Sequence, residues 1–191
     1  MIKPIFIGLT GPTGVGKDTV ATILNEHYLF KRLAFGDPLK RAAQIAFSLE
    51  DRWLQDDHKT IVHPYWGRTP REMFQRTGTE AFRGNFGEDF WVRRLKLEYN
   101  QVLAANPQQF IVITDVRNVG VQTEPAWVRE QGGTVVHMQG PQRREDVSAA
   151  HVSNDPVTFI EGDRVLVNDG DMDTLTENVH VLMAEILGWA K

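Results

Sequence analysis

Gly11-Pro12-Thr13-Gly14-Val15-Gly16-Lys17-Asp18-Thr19 follows directly on the apolar run Ile5-Phe6-Ile7-Gly8-Leu9, and residues of these types in this order are suited to holding phosphate. The glycines let successive backbone N–H groups turn inward without Cβ clashes, and a helix starting near Lys17 adds the positive end of its dipole. Lys17 brings a mobile point charge for β- and γ-phosphates. The spacing fits G-x-x-x-x-G-K, but Asp18 stands where Ser or Thr ordinarily follows. A hydroxyl at that position ligates Mg²⁺; here either the Asp18 carboxylate or the neighbouring Thr19 hydroxyl takes that role. The expected nucleotide contacts are Gly11, Thr13, Gly14, Val15, Gly16, Lys17, Asp18 and Thr19.

Further along, several residues have both a chemical and a structural reading. Arg71 falls in the first turn of an expected helix, where a cation opposes the helix dipole unless an anion is bound beside it. Gln75, one turn on, either offers its amide to a base edge or is a surface glutamine. Asp37 and Asp115 each follow an apolar run: one holds a metal-bound water and the other orients Lys17 or a substrate hydroxyl, or each caps the next helix. Arg117, two residues beyond Asp115, is within reach of the gap between two phosphates. Arg143 and Arg144 either close over a transferring phosphoryl group or pair with Glu145 and Asp146. Asn168-Asp169-Gly170 either packs a nucleobase or forms a turn and helix cap. Asp57, His58 and His63 do not have a ligand spacing, and a proline follows directly, so no metal site is expected there. Trp66 and Trp91 either stack on a base or pack in a core.

The elements that must position these groups alternate. Apolar runs at Ile5 to Leu9, Leu33 to Phe35, Phe110 to Thr114, Thr134 to Met138 and Val165 to Val167 predict five buried parallel strands, with helical periods between them. The fold class is therefore α/β, a doubly wound five-stranded parallel sheet with ligands at the carboxyl ends of its strands. The stretch from Phe35 to Phe110 is too long for one crossover and predicts a helical lobe. Within it Thr69-Pro70-Arg71-Glu72 is a capping box with proline at the first helical position. A later helix is expected from Glu88 to Ala105, with Trp91, Leu95, Val102 and Leu103 inward. A last helix is expected from Asp173 to Leu187. The polar, proline-bounded stretch after Met138 suits a lid. One domain is expected, with its core at 1–37, 108–140 and 157–191, the helical insertion at about 38–107 and the lid at about 141–156.

Composition narrows the partners. Acidic residues outnumber basic ones by 25 to 21, which disfavours a nucleic-acid polymer or an anionic membrane. Arginine outnumbers lysine fourteen to seven, in keeping with planar, bidentate grip on phosphates. Cysteine is absent, which excludes disulfides, a thiol nucleophile and cysteine-based zinc sites and fits a reducing cytoplasm. No basic-then-apolar leader and no apolar stretch of membrane-spanning length is read. No Asn-Lys-x-Asp run for guanine selection is seen.

Gly67-Arg68-Thr69-Pro70-Arg71-Glu72-Met73-Phe74-Gln75-Arg76-Thr77-Gly78-Thr79-Glu80, then Gly87-Glu88-Asp89-Phe90-Trp91, resembles the deoxynucleoside monophosphate kinase family of phages and bacteria. So do Gly16-Lys17-Asp18-Thr19, Ala34-Phe35-Gly36-Asp37-Pro38-Leu39-Lys40 and Thr114-Asp115-Val116-Arg117. The similarity covers nearly the whole chain, and Gly-Lys-Asp-Thr is that family's usual loop ending. The resemblance implies an adenylate-kinase-like P-loop fold and transfer of the γ-phosphoryl of ATP to a deoxynucleoside monophosphate, with Mg²⁺. It implies ATP-side contacts that include Asn168, and an acceptor side of Asp37, Lys40, Arg68, Arg71, Gln75, Thr79, Glu80, Trp91, Asp115 and Arg117. Lys17, Arg117, Arg143 and Arg144 are the implied catalytic residues, Asp18 and Asp115 the metal-side ones, and a homodimer is allowed. Two departures stand out: Asn118-Val119-Gly120-Val121-Gln122-Thr123-Glu124-Pro125 in place of a compact Asn-Glu pair, and His151-Val152-Ser153-Asn154 in place of His-x-Ser-Glu. A kinase for another phosphorylated compound such as dephospho-coenzyme A, or a nucleotide-binding protein without transferase activity, remains open at this stage.

Overall fold

The computed structural model describes residues 4–118, 123–141 and 156–189. Arg143, Arg144 and the His151 to Asn154 stretch lie outside them. The chain divides into two compact units, one of Met1–Ala34 with Leu97–Lys191 and the other of Phe35–Lys96.

The first unit holds a five-stranded parallel sheet: β1 (Phe6–Thr10), β2 (Lys31–Leu33), β3 (Ile111–Ile113), β4 (Thr134–Gln139) and β5 (Arg164–Val167), in the order β2-β3-β1-β4-β5. On one face β1 and β4 pack under α1 (Lys17–Tyr28) and the C-terminal helix (Met172–Ile186). Ile7, Leu9, Val20, Leu24, Val136, Leu175, Val179 and Met183 form one buried cluster there. On the other face Phe6, Tyr99 and Trp127 meet ring to ring at 5.0–5.5 Å. A Cβ at Gly8 would lie 2.9 Å from Val116, so this central strand position is glycine for want of room.

Two sequence expectations change at the sheet edges. The second strand is Lys31–Leu33, two residues earlier than its apolar run, because Phe35 is already the N-cap of the next helix. The outer strands are not buried on both faces: Lys31, Arg32, Val165 and Val167 are exposed. An edge strand has a neighbour on one side only, and here part of its face is uncovered as well. An eight-residue helix (Thr123–Glu130) also begins within the last three residues of the 118–125 stretch that reads in sequence as an insertion.

Behind the β4–β5 pair, Asp163 is buried and its carboxylate accepts from Arg129 Nη2 at 2.7 Å, His137 Nε2 at 2.9 Å and the Ile160 N–H at 3.1 Å. Burial pushes this carboxyl up, but those hydrogen bonds and the arginine charge outweigh it and hold it below the usual carboxylate range. Its stabilisation is therefore present at neutral pH and is lost as acid protonates it.

The second unit is helical. Its core is Ala43, Leu49, Trp53, Met73 and Phe74. It begins with α2 (Gly36–Ala46) and continues to α3 (Pro70–Gln75), whose N-cap Thr69 forms the expected reciprocal capping box with Glu72. The Thr69 N–H and hydroxyl hold the Glu72 carboxyl below its ordinary range. What the sequence does not announce is the continuation: Arg76–Arg83 is a π-helix, followed by a short α-turn, α4 (Gly84–Phe86), before α5 (Phe90–Ala105).

Candidate active site

At the carboxyl end of β1 the chain turns through Gly11, Gly14 and Gly16, with φ of 138°, 78° and 101°, conformations that L side chains rarely adopt. Gly16 is the N-cap of α1, so the loop delivers its last N–H groups onto a helix N-terminus. Lys17 Nζ donates to the carbonyls of Gly11 and Pro12, both at 2.7 Å. The ammonium thus lies back over its own loop, and a phosphate would replace neutral acceptors with charged ones that bond about twice as strongly.

Asp18 is exposed in the first turn of α1, where a carboxylate suits the dipole. Its Oδ1 lies 3.4 Å from Arg32 Nε on β2. Arg32 is a neighbour that sequence reasoning missed; the available signal was a charged residue just ahead of an apolar run at the sheet edge. Thr19 is half-buried beside it. Hard oxygen donors of this kind fit Mg²⁺, which is commonly held by one or two carboxylates or hydroxyls plus substrate phosphates. Among the described residues no group of three or more His, Cys, Asp or Glu gathers as a metal cage.

Asn168, at the end of β5, is buried. Its side-chain amide donates to the Val15 carbonyl of the loop at 2.8 Å, and its backbone N–H donates to Gln139 at 2.7 Å. Its amide nitrogen therefore turns toward the loop. The cap of the following helix is Asp171, which accepts from the Thr174 N–H at 2.9 Å. Asp115 follows β3, half-buried. Beyond it the Arg117 N–H donates to Glu124 Oε2 at 2.9 Å, and Glu124 is only 2% exposed. That buried carboxylate, on the helix the sequence concealed, fastens the backbone of Arg117 while its side chain reaches solvent.

The acceptor-side candidates are in the second unit. Asp37 sits in the first turn of α2 and lies 3.7 Å from Lys40; it is not the helix cap, which is Phe35. Arg68 closes a turn, its carbonyl accepting from the His63 N–H at 2.9 Å, with Gly67 at φ 62°. Arg71 and Gln75 are half-buried on α3, and Thr79 and Glu80 belong to the π-helix. A π-helix shifts hydrogen bonds to i→i+5 and is frequent at functional sites. Trp91 is not a surface for a base: it is buried, its indole N–H donates to the Gly78 carbonyl at 3.0 Å, and its ring meets Phe82 at 5.2 Å and Phe90 at 4.9 Å. Trp66 is partly exposed, with its N–H on the Phe47 carbonyl at 2.9 Å. His58 pairs with Asp57 at 3.1 Å, and His63 lies against Trp53.

The family described as deoxynucleotide monophosphate kinase matches residues 63–179. A protein of Acanthamoeba polyphaga mimivirus, whose provisional name is deoxynucleotide monophosphate kinase, is 31% identical over 176 residues, 86% of this chain and 89% of its own. The deoxynucleotide monophosphate kinase of Enterobacteria phage T4 is 27% identical over 109 residues, covering 57% of this chain and 43% of its own. Among solved structures, a sugar kinase from Janibacter aligns with a TM-score of 0.53 at 15% identity, over 98% of this chain and 99% of its own. At that identity the likeness speaks for the P-loop kinase fold alone.

Proposed function

The chain belongs to the deoxynucleotide monophosphate kinase family, and from that premise we propose that it passes the γ-phosphoryl group of ATP to a deoxynucleoside 5′-monophosphate. The observation that carries the donor half is the glycine loop on β1, with Lys17 and the N-terminus of α1 at its edge. An oxygen of the acceptor monophosphate attacks the γ-phosphorus, the bond to the β,γ-bridging oxygen breaks, and ADP and a deoxynucleoside diphosphate leave. No general base is needed, since the attacking phosphate is already ionised at neutral pH. Rate then comes from holding two anions in line and offsetting the charge between them.

In this reading the N–H groups of Gly11 to Thr19 hold the triphosphate, and Lys17 follows the γ-phosphoryl as it transfers. Arg117 stands between donor and acceptor phosphates, and Arg143 and Arg144 close over them while water is excluded. Arg71 forks onto the acceptor phosphate, with Asp37, Lys40, Arg68, Gln75, Thr79 and Glu80 as its companions and Asp115 orienting the acceptor. Asp18, or Thr19 in its place, together with Asp115 would hold Mg²⁺, which would supply positive charge against the phosphate oxygens when bound. A cytoplasmic place of action accords with the chemistry, and no described helix is long and apolar enough to cross a membrane.

A coupled assay of ADP release across the common deoxynucleoside and ribonucleoside monophosphates, with dephospho-coenzyme A as a further acceptor, tests the proposal. Turnover with at least one deoxynucleoside monophosphate is expected. ATP binding without transfer to any of them, or transfer only to dephospho-coenzyme A, would overturn it.

A further inference from the structure

We propose that Asn168 is a positioning residue for binding the triphosphate of ATP, acting through the Val15–Gly16 peptide and not by contact with the nucleotide. The inference rests on the ATP-binding half of the function proposed above. Its side-chain amide donates to the Val15 carbonyl at 2.8 Å from a buried position at the end of β5. A trans peptide is planar, with its C=O and the following N–H pointing in opposite directions. Anchoring the Val15 carbonyl on the inside therefore aims the Gly16 N–H outward, to the side where a phosphate would be cradled.

The surroundings are shaped for this contact. A Cβ at Gly16 would lie 2.5 Å from Asn168 Nδ2, so the glycine there serves both its φ of 101° and the approach of the amide. A Cβ at Gly140 would lie 2.2 Å from the Asn168 carbonyl, and one at Gly11 would lie 2.7 Å from the Met138 carbonyl. The ends of β1, β4 and β5 thus meet backbone to backbone, and Asn168 is also tied to the end of β4 by its N–H on Gln139 at 2.7 Å. Val15 itself is 1% exposed and belongs to the main core cluster, which holds the inner side of the same peptide. With its side chain in the core and its carbonyl on Asn168, the peptide has little freedom to flip. A flip would turn a carbonyl oxygen toward bound phosphate.

The test compares Asn168→Leu, which removes the donor without adding charge, with Asn168→Ser, which keeps a shorter one. Binding of a non-hydrolysable ATP analogue is titrated, KM is measured for ATP and for the acceptor, and the Gly16 amide is followed by ¹⁵N–¹H NMR without nucleotide. For Asn168→Leu the expected result is a roughly tenfold or larger loss of analogue affinity, an equal rise in KM for ATP, an acceptor KM within about twofold of the original, and a displaced Gly16 resonance. Asn168→Ser should fall between the two. If Asn168→Leu does not fold, Asn168→Ser alone decides: weakened analogue binding with a native circular dichroism spectrum supports the proposal, and unchanged binding overturns it. Unchanged affinity in a folded Asn168→Leu, or equal losses on the ATP and acceptor sides, also overturns it. Because analogue binding needs no acceptor, a chain that phosphorylates no monophosphate but loses analogue affinity in these variants would sink the function proposed above and leave this inference standing.

Discussion

The unit that carries the phosphate loop and the unit of Phe35–Lys96 hold their candidate residues by different means. In the first, the loop lies between β1 and α1 over a continuous core, and Asn168 ties its Val15 carbonyl to the end of β5. In the second, a small cluster around Trp53, Met73 and Phe74 is buried, and the segment with Thr79 and Glu80 is a π-helix whose Gly78 carbonyl is held by Trp91. In both, the side chain of a candidate site residue, Asn168 or Trp91, donates to a backbone carbonyl. The difference is in what surrounds it: a loop set at the carboxyl end of the central strand is held by three strand ends, whereas the Gly78 turn of the π-helix is held by the Trp91 indole and by side-chain packing from Leu39 of α2. The first should tolerate loss of a surface contact and be sensitive in chemistry; the second should be sensitive in acceptor binding.

The largest expected effect breaks the comparison at the loop. Lys17→Ala should lower turnover by roughly 10²–10³-fold while leaving thermal stability nearly intact, because Lys17 acts on charge that moves in the transition state. A loss below tenfold, in steady-state assays on a protein of unchanged melting temperature, would remove Lys17 from that role. Next, Arg71→Ala should lower kcat/KM for the monophosphate by roughly ten- to a hundredfold, with Arg71→Lys between, since charged hydrogen bonds contribute on the order of 1.5–3 kcal/mol and lysine lacks the fork. Calorimetric titration of an ATP analogue should show little change; an equal fall on that side would mean that Arg71 does not belong to the acceptor.

A smaller effect separates the two kinds of support. Trp91→Phe keeps the ring but leaves the Gly78 carbonyl without its indole donor, a buried loss of about 1–3 kcal/mol. The acceptor KM should rise by up to roughly tenfold with the KM for ATP unchanged. Equal shifts in both, or a melting temperature drop with neither, would show that the π-helix does not serve the acceptor. Smallest of all, Thr69→Ala should remove about 1 kcal/mol of stability by undoing the capping box, read in urea denaturation, and should alter the ATP side not at all.

Much of this molecule was legible before its structure. The loop could be read because its chemistry is local: glycines at fixed offsets, a lysine and a following helix lie within nine residues, and backbone conformation there depends on those residues. All five strands and the capping box at Thr69 were legible for the same reason, since period and cap chemistry act over a few residues. Tertiary structure alone decided which strand faces are covered, and so left Val165 and Val167 exposed although they look as apolar as the strands inside. It also set Arg32 beside Asp18, Glu124 beneath the Arg117 backbone and Asn168 against Val15, pairs separated by from seven to 153 residues. Hydrogen-bond partners of this kind are chosen by where strand and helix ends meet, and no local pattern encodes that meeting. The π-helix belongs with them: Arg76 to Arg83 has no composition that forbids an α-helix, and the shifted ladder goes with a Gly78 carbonyl that accepts from an indole thirteen residues away.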